Sequence, residues 1–224
     1  MKLIAILIIT LTLSACATTK KTVQEEFTVD LDSPQINLGE VEIQFDRFLG
    51  MGGLKKENIA VSYFPREDAI CLLFRIDFTS NYQFWSKNGR EAFITALENY
   101  KKDYDERSLA RNSKATRRKY GVTQGYLIWQ MSRYTVQARA NMDVELGHNF
   151  KDRSPYFTIY QREAKYIDPI ARDNNRESQE VMMYFTRAQA DELAAIFDPQ
   201  YIQGIISGRT GGFTNQTNID VDDY

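Results

Sequence analysis

Few residues in this 224-residue chain are suited to covalent chemistry: two cysteines, Cys16 and Cys71, and one histidine, His148. A Cys–His nucleophile would have to bring Cys71 beside His148. Cys71 lies in the strand-like run Ala69-Ile70-Cys71-Leu72-Leu73-Phe74, where a buried inert thiol is the plainer expectation, and His148 lies in the turn-like Leu146-Gly147-His148-Asn149. Zinc needs more His and Cys than remain, and Asp220-Val221-Asp222-Asp223 lacks the regular spacing of a calcium loop. Gly50, Gly52 and Gly53 are not followed by Gly-Lys-Ser/Thr, so they read as a hairpin turn rather than a phosphate loop. No metal or cofactor is expected. The pairs Glu67 with Asp68 and Asp103 with Asp105 read as surface charge, because spacing alone does not place two carboxyls across one bond. Trp85, Trp129, Tyr134, Tyr156 and Tyr160 would stack on sugars or fill a core, and aromatics on strands more often fill a core.

Cys16 is different, because of what precedes it. Met1-Lys2 supplies a positive start, Leu3 to Leu13 is an apolar run of 11 residues broken by Thr10 and Thr12, and Ser14-Ala15 leads into Cys16. This is the pattern of an export signal, and it is too short for a spanning helix, which takes about 20 residues. Leu13-Ser14-Ala15-Cys16 resembles the lipobox of bacterial lipoproteins. The resemblance implies that residues 1–15 are removed, that Cys16 is the lipidation residue, and that its acyl chains hold the domain on a membrane. Ala17 stands where an acid resembles an inner-membrane retention signal, so the expected location is the cell envelope, with the outer membrane favoured. If Cys16 carries lipid, Cys71 has no partner in the chain and no disulfide framework is expected.

Without Lys2, 27 basic side chains face 30 acidic ones, so global attraction to nucleic acid is not expected. The charge is nevertheless uneven. Arg107, Arg111, Lys114, Arg117, Arg118 and Lys119 form a stretch without acids, whereas Glu25, Glu26, Asp30, Asp32, Glu40, Glu42 and Asp46 form one without bases. The basic stretch is a candidate anion-binding patch for lipid headgroups, an acidic envelope polymer or a partner. The alternative is that the two stretches neutralise each other in the fold.

These residues need elements to position them. Residues 16–24 read as lipidated Cys and tether, 25–206 as one domain, and 207–224 as a polar, acidic tail. Val41, Ile43, Phe45 and Ile59, Val61, Tyr63 alternate at period 2, as do Ile70, Leu72, Phe74, Ile76 and Phe78. A cap at Asn88 with Glu91 three residues on, then Phe93, Leu97, Tyr100 and Tyr104, predicts a helix from about 89 to 110. Strands follow at Tyr126–Met131, Tyr134–Leu146 and Tyr156–Tyr160. A last strand at Val181–Phe185 leads to a capping box at Thr186 and Gln189 and a helix that stops at Asp198-Pro199. The order β-α-β-α predicts an α+β two-layer sandwich, an antiparallel sheet with two helices on one face. No catalytic constellation emerges. The expectation is a non-catalytic, membrane-anchored binding or assembly module for a protein partner or envelope polymer. A hydrolase using carboxylate or hydroxyl groups is the alternative, and it predicts a concave site holding an acid of raised pKa.

Overall fold

The computed structural model describes residues 27–46, 53–109, 117–131, 137–167 and 175–208. The alternating runs form β1 (Ile36–Asp46), β2 (Leu54–Phe64), β3 (Ala69–Ile76) and β4 (Thr79–Trp85). Helix α1 (Lys87–Asp105) precedes β5 (Arg117–Met131), β6 (Ala138–Lys151) and β7 (Ser154–Gln161). A small ribbon of β8 (Lys165–Ile167) and β9 (Asn175–Glu177) interrupts the series before β10 (Val181–Phe185), α2 (Arg187–Phe197) and α3 (Pro199–Ile206). Each main strand pairs antiparallel with its neighbour in sequence, and β10 bridges β7 to β1, so eight strands close into a barrel.

This overturns the expected two-layer α+β sandwich. The sheet is closed and has no single flat face for two helices to cover. Closure depends on the pairs Gln44↔Tyr184 and Phe45↔Met183, between residues about 140 apart, and a period-2 pattern carries no record of which distant strand lies alongside. The helices also begin one step from strand ends rather than at the expected Asn88. Ser86, directly after Trp85, caps α1 by accepting from Gly89 N, while Thr186 and Gln189 do form the expected capping box of α2. Phe78, expected to extend β3, sits instead in the β3–β4 turn and is 66% exposed.

Alternation puts one row of each strand inside. Val41, Ile43, Ile59, Val61, Ile70, Leu72, Leu127, Val144, Leu146, Ile159 and Met183 are buried in one cluster. Phe93, Leu97 and Tyr100 of α1 and Leu193 and Phe197 of α2 belong to that same cluster, so the helices complete the barrel core. Phe93 is its hub, with ring centres 6.1 Å from Trp85, 5.3 Å from Phe157 and 5.0 Å from Phe197. Lys101–Asp191 at 2.8 Å and Arg187–Asp105 at 3.1 Å tie the two helices together.

The outer rows differ around the wall. Glu40, Lys56, Asn58, Arg139, Asn141 and Asp143 are exposed on β1, β2 and β6, which reverses the apolar-outside arrangement of a lipid-crossing barrel. On β2 to β5 the outer row is apolar, comprising Phe64, Ala69, Cys71, Phe84, Tyr126 and Ile128. Residues 27–33 lie over it as a strap, with Val29 buried and Phe27 and Leu31 packed alongside. None of the described helices is long and apolar enough to cross a membrane.

Replacing Phe93 with Ala should cost about 3–5 kcal/mol, the usual range for a fully buried aromatic. At roughly 2–4 °C per kcal/mol for a chain of this size, the thermal midpoint read by circular dichroism falls by roughly 10 °C. Phe78→Ala, on the exposed turn, should leave it within about 2 °C. Equal losses from both would contradict the core described here.

Candidate functional site

Among the described residues, buried apolar side chains from strands and helices pack inside the barrel, and one end is marked by the β3–β4 turn. There a cavity of about 390 Å³ opens between that turn, the end of β1 and the start of β10. Phe45, Ile76 and Val181 supply its apolar surface, and Asp46, Glu57, Asp77, Glu163, Glu180 and Arg75 its charges. The positions follow from the topology, since the end of β1, the turn after β3 and the residues before β10 meet where the ladder runs out. Asp77 takes a left-handed conformation, φ 52°, which makes the tight turn and sends Phe78 outward.

Two of the acids are neutralised locally. Lys151 Nζ lies 2.5 Å from Asp46 Oδ2, and Lys55 Nζ 2.6 Å from Glu57 Oε1. Glu180 Oε1 accepts from Tyr160 Oη at 2.7 Å. Asp77, Glu163 and Glu180 make no ion pair among the described residues. A buried chain of amides leads toward this end. Trp85 Nε1 donates to Gln83 Oε1 at 2.9 Å, Gln83 Nε2 to Gln161 Oε1 at 3.0 Å, and Gln161 Nε2 to the carbonyl of Gln179, a cavity residue, at 3.3 Å. Ser178 is fixed from both sides, its N–H donating to Ala164 O and its Oγ accepting from Ala164 N, each at 2.8 Å. Among the described residues no three His, Cys, Asp or Glu converge to hold a metal ion. The acids are spread along the rim, which suits a ligand with separated cationic groups.

The residues singled out in the sequence fall elsewhere. Cys16, Arg111 and Lys114 lie outside the described residues, as does the tail from 209 onward. The backbones of Arg117 and Arg118 pair with Asn149 and His148 at the start of β5, at the far end of a 15-residue strand whose last residue, Met131, pairs with Thr79 beside the cavity turn. Arg107 follows α1 with φ 53°, and the exposed Lys119 lies 3.7 Å from Glu145. The acidic stretch turns to other partners, Glu42 to Lys56 at 3.0 Å and Asp46 to Lys151.

Cys71 and His148 are not brought together. Cys71 faces outward beneath the strap, and burial pushes its thiol up, away from a nucleophile's range. His148 is buried in β6, its Nδ1 3.1 Å from Tyr120 Oη, which donates to Asp103 Oδ2 at 2.9 Å. The bonds fix α1 against β5 and β6. Of the five aromatics, Trp85 and Trp129 fill the core as expected, whereas Tyr156 is half-buried against Tyr184, edge-on at 5.9 Å, Tyr160 donates to Glu180 at the cavity, and Tyr134 lies outside the described residues. The cavity residues escaped sequence reading because Arg75, Asp77, Glu163 and Glu180 are ordinary charges at strand ends. The Asp77-Phe78 pair between two alternating runs was the available turn signal.

An eight-stranded antiparallel meander closed into a barrel, with a helix-lined core and a cavity at one mouth, defines the class of the protein. The chain belongs to the family described as Uncharacterised Treponema protein, which matches residues 17–204. No curated protein and no solved structure matches it.

Among the described residues, the acid whose pKa is raised is Glu192 on α2, lifted first by burial and then by the nearby Glu42 carboxylate, and it is not among the residues of the cavity. The folded state therefore holds this proton more tightly than the unfolded chain does. Its contribution is fully present below the ordinary glutamate range and is lost as pH rises through the raised value. Glu192→Gln should raise the thermal midpoint at pH 7 by about 1–2 °C and flatten the decline between pH 4 and 7. A midpoint difference between the two proteins that does not change with pH would contradict this.

Proposed function

We propose that this chain is a lipid-anchored module of the cell envelope, held through Cys16, that binds a protein partner bearing basic groups at the mouth of its barrel. The observation that carries the reading is the cavity of about 390 Å³, the size of a small binding pocket, whose rim carries Asp77, Glu163 and Glu180 without ion partners among the described residues. Ligand chemistry follows from the rim. Separated carboxylates favour Lys or Arg side chains, and the apolar surface of Phe45, Ile76 and Val181 suits their methylene stems. The exposed Phe78 beside it offers an aromatic anchor of the kind that dominates protein interfaces. The anchor is supported by the apolar run Leu3 to Leu13 and by Leu13-Ser14-Ala15-Cys16, which resembles a lipobox. Outer-membrane placement, facing the periplasm or the surface, follows from Ala17 as part of the same reading.

A second reading, contact of the basic residues 107–119 with anionic headgroups or polymer, is favoured by one observation. The described ion pairs of the acidic stretch, Glu42 with Lys56 and Asp46 with Lys151, do not involve residues 107–119, of which Lys119 lies 3.7 Å from Glu145 instead. In that case reversal of Arg117, Arg118 and Lys119 to Glu abolishes salt-sensitive association with anionic vesicles, and unchanged association excludes it.

Two measurements test the main reading. Cells expressing the wild-type chain should incorporate labelled palmitate into it, and Cys16→Ser should not; retention of label in the variant removes the anchor. A fluorescent hexalysine peptide titrated onto the full chain should bind saturably, and Glu163→Lys with Glu180→Lys should weaken binding at least tenfold. The same charge change at the α1 residues Glu91 and Glu98 should alter it less than threefold. Equal effects from both pairs would show attraction to overall charge and sink the mouth as the site.

A further inference from the structure

The strap formed by residues 27–33 carries an inference that depends on neither the lipid anchor nor the cavity. These residues precede β1, and every ladder that closes the barrel forms without them. Phe27, Val29 and Leu31 alternate onto the outer groove of β2 to β5, over Phe64, Cys71, Phe84 and Tyr126. Phe27 meets Tyr126 edge-on at 6.4 Å. The strap makes no strand ladder, and its backbone bond is internal, Ser33 N to Asp30 O at 3.1 Å. Its hydrogen bond to the barrel is Ser33 Oγ to Glu67 Oε1 at 2.8 Å. The other oxygen of that carboxylate, Glu67 Oε2, is buried with no hydrogen-bond partner. Among the described residues, side-chain packing and this single polar bond hold the strap in place.

We propose that residues 27–33 are an exchangeable strap, able to leave their own groove and occupy the same groove on a second copy of this chain. The occupant follows from the geometry, because the fit between an alternating Phe-x-Val-x-Leu segment and this groove is already on view within one molecule. Exchange of a terminal segment replaces one set of contacts with an identical set and leaves the closed barrel intact. Ser33-Pro34-Gln35, between strap and β1, is the stretch where the path would change.

The test uses the full chain with Cys16→Ser, so that Cys71 is the one native thiol. One preparation carries Val29→Cys and Cys71→Ala, and the other keeps Cys71; the two are mixed under mild oxidation with diamide and run on non-reducing gels. Exchange predicts a disulfide-linked heterodimer at least tenfold above a control with Asn141→Cys, on the charged outer face of β6, in place of Val29→Cys. No heterodimer, while a single chain holding Val29→Cys together with Cys71 closes an internal disulfide, overturns exchange. Failure of both disulfides overturns the seating of the strap over Cys71 itself. Phe27→Cys replaces Val29→Cys if the latter loses the native circular dichroism spectrum.

Discussion

β1 meets β10 at Gln44↔Tyr184 and Phe45↔Met183, and this short ladder turns a meander into a wall. An open sheet would leave the backbone groups of its two outer strands unpaired, whereas here each of the two serves as the other's neighbour. Closure is incomplete along β1, because β10 ends at Phe185 while β1 runs back to Ile36. Helices stand in for a strand along that edge. Tyr201 Oη of α3 donates to Leu38 O at 3.1 Å, and Gln189 Nε2 of α2 donates to Glu42 Oε1 at 3.2 Å. The helices therefore complete the barrel as well as filling it.

Eight strands enclose a space that side chains can fill, and what fills it decides what the barrel can hold. Phe93, Tyr100 and Phe197 enter from the helices to meet Trp85 and Phe157 from the strands, and Tyr100 Oη donates to Pro155 O at 3.2 Å. These rings occupy space that a large-ligand barrel keeps for its ligand. The amide chain from Trp85 through Gln83 to Gln161 is buried and bonded along its length, so it sets the relative positions of β4 and β7 without an unpaired link. On the outside, Lys151 reaches Asp46 and lies over the Tyr184 ring at 5.4 Å, joining the β6–β7 hairpin to β1 and β10 beside the closing ladder.

Most strands were legible in the sequence, because each has a buried face and alternation records that face: Val41, Ile43, Phe45 and Ile70, Leu72, Phe74 all lie inside. Helix α2 was legible to its capping box, since Thr186 and Gln189 act within one turn. What failed was the inference from strands to architecture. Closing a barrel and laying a sheet under two helices demand the same alternation, and the difference lies in pairs such as Phe45↔Met183 that are remote in sequence. The first residues of β5 failed for another reason. Arg117 to Lys119 registered only as part of a basic stretch because charge dominates their composition, yet their backbones pair with Asn149, His148 and Gly147. The cavity was not legible, since nothing in Asp77, Glu163 or Glu180 separately distinguishes an acid at a rim from one in solvent.

Rings from the helices take up space inside the barrel, and the order of the elements decides which outer surfaces are covered. The strap occupies the apolar outer row of β2 to β5 and acids and bases lie on β1, β2 and β6, whereas the mouth is concave and carries both apolar area and carboxylates without ion pairs among the described residues. The basic residues at the start of β5 lie at the far end of the same strand whose last residue adjoins the mouth. Long-range attraction between surface charges fades over roughly 8–10 Å at physiological salt, so across a strand of this length the two regions act independently.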